Sequence, residues 1–160
     1  MFRIGFGNDV HRLVRGRPLV LGGVRIESDL GLLGHSDADV LVHAVMDAIL
    51  GALALGDIGR HFPDTDSRYK DADSLDLLAT VAGLMRKEGF RVNNLDATVV
   101  AQRPRLAPHI PAMQERLSGI LGVDSGRVNI KATTTEGLGY CGRSEAMEAF
   151  AVVSLLADSV

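Results

Sequence analysis

Eighteen glycines and five prolines are spread along these 160 residues, and nowhere do they gather into a stretch that could serve as a linker. Such punctuation limits the chain to short elements joined by turns within one compact fold. No internal repeat or low-complexity segment accompanies it, and the length suits a single domain, residues 1–160, with one core. The longest nearly uncharged stretches, such as Ala146–Ala157, fall short of the ~20 apolar residues that a membrane-crossing helix requires. The start, MFRIGFGNDVHRL, reaches Asp9 and His11 before any apolar run long enough for a secretory signal. A single cysteine forms no internal disulfide, so no oxidising compartment is called for. Seventeen Lys and Arg against 20 Asp and Glu give a net charge of −3, with the signs interspersed. That lacks the basic footprint of a nucleic-acid binder. The expectation is a soluble, cytoplasmic protein with neither a nucleic-acid nor a membrane partner.

Phe2–Gly7 reads as a strand, and Pro18–Ile26 as a second one bent or turned at Gly22–Gly23. The arginine-bearing segment between them, residues 12–17, reads as a solvated loop. Ser36, followed at the third position by Asp39, reads as a capping pair opening a helix. On that helix Leu41, Val45, Ala48 and Ala52 form one stripe, lying about 140–200° around from His43. His43 is thereby expected on the opposite face, with Asp39 and Asp47 one turn to either side. The segment GDIGRHFPDTDS, residues 56–67, looks unstructured. A second helix is expected from Ser74 to Lys87, with Leu75, Leu78, Ala82 and Met85 inward and Gly89 just past its end. Leu95–Gln102 and Arg127–Ala132 read as strands, and a third helix begins near Pro108 or Pro111 and ends at Gly122. Residues 145–157 fit a buried strand or a helix equally well. Alternating strands and helices define an α/β or α+β class.

Asp9 and His11, two residues apart on an extended segment, face the same side. With His43 they make an Asp/His/His set of the kind that suits Zn²⁺ and keeps a fourth position for water or substrate, although each could also be an ordinary surface residue. His35 lies just outside the helix start, where free amides and a partial positive charge favour a phosphoryl group. Asp57, Asp64 and Asp66 read either as a solvated loop or as acceptors for substrate hydroxyls. Thr133, Thr134 and Thr135 followed by Glu136 could cradle phosphate and hold a hard cation, or could simply end a strand. Neither a Walker motif nor a G-x-S-x-G elbow is present, and Cys141 has no adjacent base.

The segments RIGFGNDVHR, LLGHSDADVLVHAVMDAILGALALGDIGRHFPDTD, AQRPRLAPHIPAM and NIKATTTEGLGYCGR occur in order and span nearly the whole chain. Together they resemble the 2-C-methyl-D-erythritol 2,4-cyclodiphosphate synthase family of the non-mevalonate isoprenoid pathway. The resemblance implies a small mixed four-stranded β-sheet with helices on one face, and a homotrimer whose sheets surround the threefold. Its active sites would lie between subunits, and residues 145–157 would form a strand. The implied reaction is a cyclising, CMP-releasing phosphorus–oxygen lyase. It converts 4-diphosphocytidyl-2-C-methyl-D-erythritol 2-phosphate to the cyclic diphosphate.

By matching motif, Asp9, His11 and His43 would hold Zn²⁺ or another divalent metal. Glu136 would hold a Mg²⁺ or Mn²⁺ that bridges the diphosphate. His35 and Thr134 would stabilise the transition state, and Val10 and Ser36 would touch substrate. Asp57, Ile58 and Gly59 would line the methylerythritol site together with Phe62, Pro63, Asp64, Thr65 and Asp66. Ala101, Gln102, Arg103 and Pro104, with Arg105, Leu106 and Ala107, would form the cytidine and phosphate pocket with Thr133–Thr135, contributed by a neighbouring subunit. Tyr140 and Arg143 would sit near the ligand and the threefold cavity.

Four positions depart from the commonest pattern of that family. Arg105 stands where lysine is frequent, Gly137 replaces a frequent lysine, Tyr140 a common phenylalanine, and Asn8 an often aromatic residue. None is a metal ligand. Two other readings share the Asp/His/His set: a phosphohydrolase using metal-bound water, and a metal-containing binding module without turnover.

Overall fold

The computed structural model describes residues 1–158. Strand β1 runs from Phe2 to Arg15, and a hairpin follows, β2 (Leu19–Leu21) and β3 (Val24–Ile26). Next come β4 (Leu30–Leu32), helix α1 (Val40–Ala52), the one-turn α2 (Ile58–His61) and α3 (Ser74–Lys87). The rest comprises β5 (Phe90–Val100), α4 (Ile110–Leu121), β6 (Val128–Thr133), the short α5 (Gly139–Gly142) and β7 (Ala146–Ala157).

The main sheet has five strands in the order β4-β1-β7-β5-β6, rather than the expected four. The fifth is β4, which pairs antiparallel with Leu13–Arg15. It exists because β1 runs well past Gly7, and residues 12–15, expected in a solvated loop, continue the strand. The alternation beyond Gly7 is genuine, with Asn8, Val10 and Arg12 exposed and Asp9, His11 and Leu13 turned inward. Two of those inward residues are polar, so a search for apolar alternation stops at Gly7. The sheet is mixed: β1, β7 and β5 pair antiparallel, whereas β5 and β6 run parallel, joined through α4. β7 is its central strand, which settles the ambiguous last segment as extended from Ala146 to Ala157. Of the two readings of residues 18–26, the turned one holds: the chain turns at Gly22–Gly23, and β2 and β3 form a hairpin.

The long helices pack on one face. α1 lies against β1 and β7 so closely that the inward positions of β1 beneath it must be glycine. A Cβ at Gly5 would fall 1.8 Å from the Ala48 carbonyl oxygen, and one at Gly7 would fall 1.9 Å from that of Ala44. All of α1 except Asp47 and Gly51 is buried, between the sheet and α3. α3 has the expected ends, with Leu77, Leu78, Val81, Ala82 and Met85 buried, and α4 closes at Gly122 in the left-handed conformation. Among the described residues the opposite face of the sheet is met only by the one-turn α5, whose Tyr140 hydroxyl donates to Glu148 at 2.7 Å. There Phe2, Ile4 and Phe6 are 55–62% exposed, alongside the exposed Val10 and Val152.

α1 begins at Val40, not near Ser36. Its cap is Asp39, and Ala38 has φ +58°, which interrupts any helical path through residues 36–39. Asp39 is fully buried and accepts three backbone N–H groups, from Gly22, Gly23 and Val42 at 3.0, 2.7 and 3.1 Å. One carboxyl thus caps the helix and ties the hairpin turn to it. Burial pushes that carboxyl up to about 6, opposed by the Gly23, Val42 and Gly22 amides.

Candidate active site

The close seat of α1 on Gly5 and Gly7 carries its first turn to the next inward residues of β1. His43 meets Asp9 and His11 there, and it is buried rather than exposed. Helix periodicity sets it opposite the apolar stripe correctly; the layer covering that side, α3, is invisible to a single-helix reading. His11 Nε2 lies 2.9 Å from Asp9 Oδ2, His43 Nδ1 lies 3.0 Å from the same oxygen, and the two nitrogens are 3.1 Å apart. His11 Nδ1–H donates to the Leu33 carbonyl at 2.8 Å, which leaves Nε2 as the free lone pair. Gly34 presses against this ring, since a Cβ there would stand 3.0 Å from His11 Cε1.

These three donors fit a divalent cation. Bonds of about 2.0–2.1 Å in a tetrahedron separate the ligand atoms by roughly 3.3 Å, little more than their present spacing. Two imidazoles and one carboxylate are a borderline-soft set suited to Zn²⁺. Burial opposes the charge on Asp9, yet hydrogen bonds and charge from His11 and His43 hold it well below the usual carboxylate range. Burial likewise works against charge on His11, but Asp9 outweighs it and raises the imidazole above its ordinary value.

The trio opens onto a cleft of about 530 Å³. Of the residues expected around substrate, His35, Ser36, Ile58 and Gly59 line it, as do Phe62, Pro63, Asp64 and Thr65. The segment from Gly56 to Ser67 is more ordered than it looks in sequence. Asp57 caps α2 by accepting Arg60 N–H, and Phe62 packs edge-on to Tyr69 at 5.3 Å. Asp47 accepts the Ile58 amide at 2.8 Å, fastening this loop to α1. Asp57 and Asp66 do not line the cleft; Asp66 instead pairs with Arg68 at 2.6 Å. Ser36 does line it, although its hydroxyl oxygen accepts Ala38 N–H and lies 3.2 Å from His43 Nε2.

The other expected residues gather elsewhere. Thr133–Glu136 and Ala101–Ala107 meet beyond the ends of the parallel pair β5 and β6. Ala101 N–H donates to the Thr133 carbonyl there, and Gly137 N–H to Gln102 Oε1. Thr134 Oγ1 donates to Glu136 Oε1 at 3.1 Å. Among the described residues, none of this group lines the cleft in the same chain, and neither does Thr134's expected companion role bring it to His35. Val10 and Tyr140 share a second recess on the other side of β1, and Arg103, Pro104 and Arg143 share a third with Arg15. Arg105 and Leu106 contact neither the metal trio nor its cleft. Leu33, Gly34, Met46, Tyr69 and Leu77 complete the cleft wall without having been expected there; the first three fall within the LLGHSDADVLVHAVM segment, but no charged or hydrogen-bonding side chain marks them.

Fold and site together define a small α/β protein with an Asp/His/His cluster at the junction of its long edge-side strand and first helix. The sequence model of the YgbB family matches residues 2–156, and the chain belongs to that family. It is 66% identical over 151 residues to a 2-C-methyl-D-erythritol 2,4-cyclodiphosphate synthase of Geobacter sulfurreducens, covering 94% of this chain and 96% of the relative. Among solved structures it is similar to the bifunctional IspDF of Campylobacter jejuni, with a TM-score of 0.94 and 46% identity. The likeness covers 98% of this chain but 42% of that longer protein. It is also similar to a Plasmodium falciparum IspF solved as a CDP complex, with a TM-score of 0.86 and 33% identity over 99% of this chain and 97% of that one. No helix of the described residues is long and apolar enough to cross a membrane.

Proposed function

We infer that this chain is a 2-C-methyl-D-erythritol 2,4-cyclodiphosphate synthase: it closes 4-diphosphocytidyl-2-C-methyl-D-erythritol 2-phosphate into the cyclic 2,4-diphosphate and releases CMP. The observation that carries this reading is the convergence of Asp9, His11 and His43 on a cleft walled by His35, Ser36 and the 58–65 loop, in a chain of this family. An oxygen of the 2-phosphate attacks the β-phosphorus; the bond from that phosphorus to the bridging oxygen breaks, and its electron pair leaves with CMP. The nucleophile is already an anion, so no base is required. The difficulty lies in holding two phosphates together and in line.

Asp9, His11 and His43 would hold Zn²⁺ or another divalent metal, and Glu136 a Mg²⁺ or Mn²⁺, and such cations would supply positive charge that offsets this repulsion. The residues of the chain do the positioning. Asp64 and the loop fastened by Asp47 hold the methylerythritol hydroxyls, and Asp57 and Asp66 order that loop. His35, with its Nε2 3.2 Å from the Asp66 carbonyl, faces the reacting phosphates from the cleft wall. Thr133–Glu136 and Ala101–Ala107 serve the cleft of a neighbouring copy, which accounts for their distance from their own. The uncovered sheet face with Phe2, Ile4, Phe6 and Val152 is then the surface on which three copies assemble. Supplying the protein with substrate, Mg²⁺ and Zn²⁺ should yield CMP and a cyclic diphosphate in equal amounts by phosphorus NMR. A linear phosphate product would contradict the assignment.

A further inference from the structure

His43 has a second nitrogen, and what holds it lies outside the cluster. Nε2 stands 3.0 Å from Ser74 Oγ, on the first residue of α3, 31 positions away. Ser74 is fully buried, and Asp37 grips it twice: one carboxyl oxygen accepts Ser74 N–H at 3.0 Å and the other accepts the Ser74 hydroxyl. Asp37 is itself fixed, its N–H donating to the Ala72 carbonyl at 3.1 Å. Because the Ser74 proton is committed to Asp37, only a lone pair of Oγ remains to face His43. Nε2 must therefore carry the hydrogen, and Nδ1, the atom aimed at Asp9 and His11, keeps its lone pair free. Ser36 Oγ also approaches Nε2, at 3.2 Å, but its lone pair already receives Ala38 N–H and nothing dictates where its own proton points.

We propose that Asp37 and Ser74 are positioning residues for the metal centre, setting the tautomer and orientation of His43 through an Asp37–Ser74–His43 relay. This rests on the reading of Asp9, His11 and His43 as metal ligands. Hydrogen-bonded partners of this kind typically contribute 10–100-fold to metal affinity. The chemistry makes Asp37→Asn the sharper variant. Asp37 Oδ1 also accepts Asp39 N–H at 3.2 Å, so both carboxylate oxygens face a backbone N–H, and the asparagine NH₂ must oppose one of them in either orientation, which breaks the double grip on Ser74. With the NH₂ toward Ser74 Oγ, the hydroxyl would donate to Nε2 and drive the His43 proton onto Nδ1; with the NH₂ toward Ser74 N–H, the residue that orients His43 would lose its backbone anchor.

The test is zinc affinity, by competition with a chromogenic chelator, in wild type, Ser74→Ala, Asp37→Asn, Ser36→Ala and His43→Ala. Visible spectra of the Co²⁺-loaded proteins and unfolding midpoints of the zinc-free proteins accompany it. Expected are affinity losses of roughly 10–100-fold in Ser74→Ala and Asp37→Asn, with altered Co²⁺ spectra, and a smaller loss in Ser36→Ala. Asp37→Asn preserves shape and carries the test alone if Ser74→Ala unfolds. Wild-type affinity and spectra in both relay variants, while His43→Ala loses zinc, would overturn the relay and leave the metal centre standing. So would a loss confined to Ser36→Ala. Equal zinc binding by wild type and His43→Ala would overturn the metal reading, and the relay with it.

Discussion

His11 Nε2 and His43 Nδ1 lie 3.1 Å apart, although 32 residues separate them in the chain. Two ring nitrogens at that distance, sharing one carboxylate oxygen of Asp9, require a proton or a cation between them. Protein purified with Zn²⁺ should accordingly hold metal that His43→Ala loses, with turnover falling ~10²-fold or more. Elemental analysis beside a steady-state assay checks both. Equal metal in the two proteins would remove His43 from the ligand set.

The site exists because α1 can descend onto β1. At Gly7 a methyl group would stand 1.9 Å from the Ala44 carbonyl oxygen, a backbone atom that cannot swing aside. Gly7→Ala should therefore lift the first turn of α1, cost about 3 kcal/mol in denaturant unfolding, and weaken metal binding as His43 moves with the helix. A variant of wild-type stability would show that the helix yields more readily than its packing implies.

Asp39 gives a pH signature. Its folded-state carboxyl sits near 6 against 3.8 for an ordinary aspartate, so the folded chain holds the proton more tightly than the unfolded one. Its contribution to stability is then fully present below about pH 4, falls as pH rises to about 6, and is constant beyond. The stability of wild type relative to Asp39→Asn should decline through that window by up to about 3 kcal/mol. A difference independent of pH between 4 and 7 would contradict it.

On the uncovered face of the sheet, Phe6 stacks on Phe150 with ring centroids 6.3 Å apart and remains largely exposed. A charge there should be tolerated by the lone subunit but not by an assembly. Light scattering is expected to report a trimer for wild type and a species near 17.1 kDa for Phe6→Glu. Loss of turnover should accompany it, since Thr134 and Glu136 would no longer reach a neighbour's cleft. A monomeric wild type with full activity would refute both statements.

What could be read in the sequence followed from how each element meets water. α3 has a polar outer face, so its apolar spacing marks both ends from Ser74 to Lys87. β7 lies in the middle of the sheet with helices on one side and an apolar open face on the other, and its composition carries no alternation to choose strand over helix. β1 looks short because Asp9 and His11 occupy inward positions, where function displaces hydrophobicity. The metal trio is legible as residue types at sensible spacings. Its supports are not: Ser74, Asp37 and Asp47 act through contacts 11 to 37 residues apart that only folding creates.

In the proposed reaction the substrate's own phosphate, rather than water, attacks the β-phosphorus. Turnover of 4-diphosphocytidyl-2-C-methyl-D-erythritol 2-phosphate in ¹⁸O-water, followed by mass spectrometry of both products, tests it directly. Ring closure predicts a cyclic diphosphate and CMP that both carry no solvent oxygen. A heavy-oxygen label in either product would mean hydrolysis, and would contradict the account.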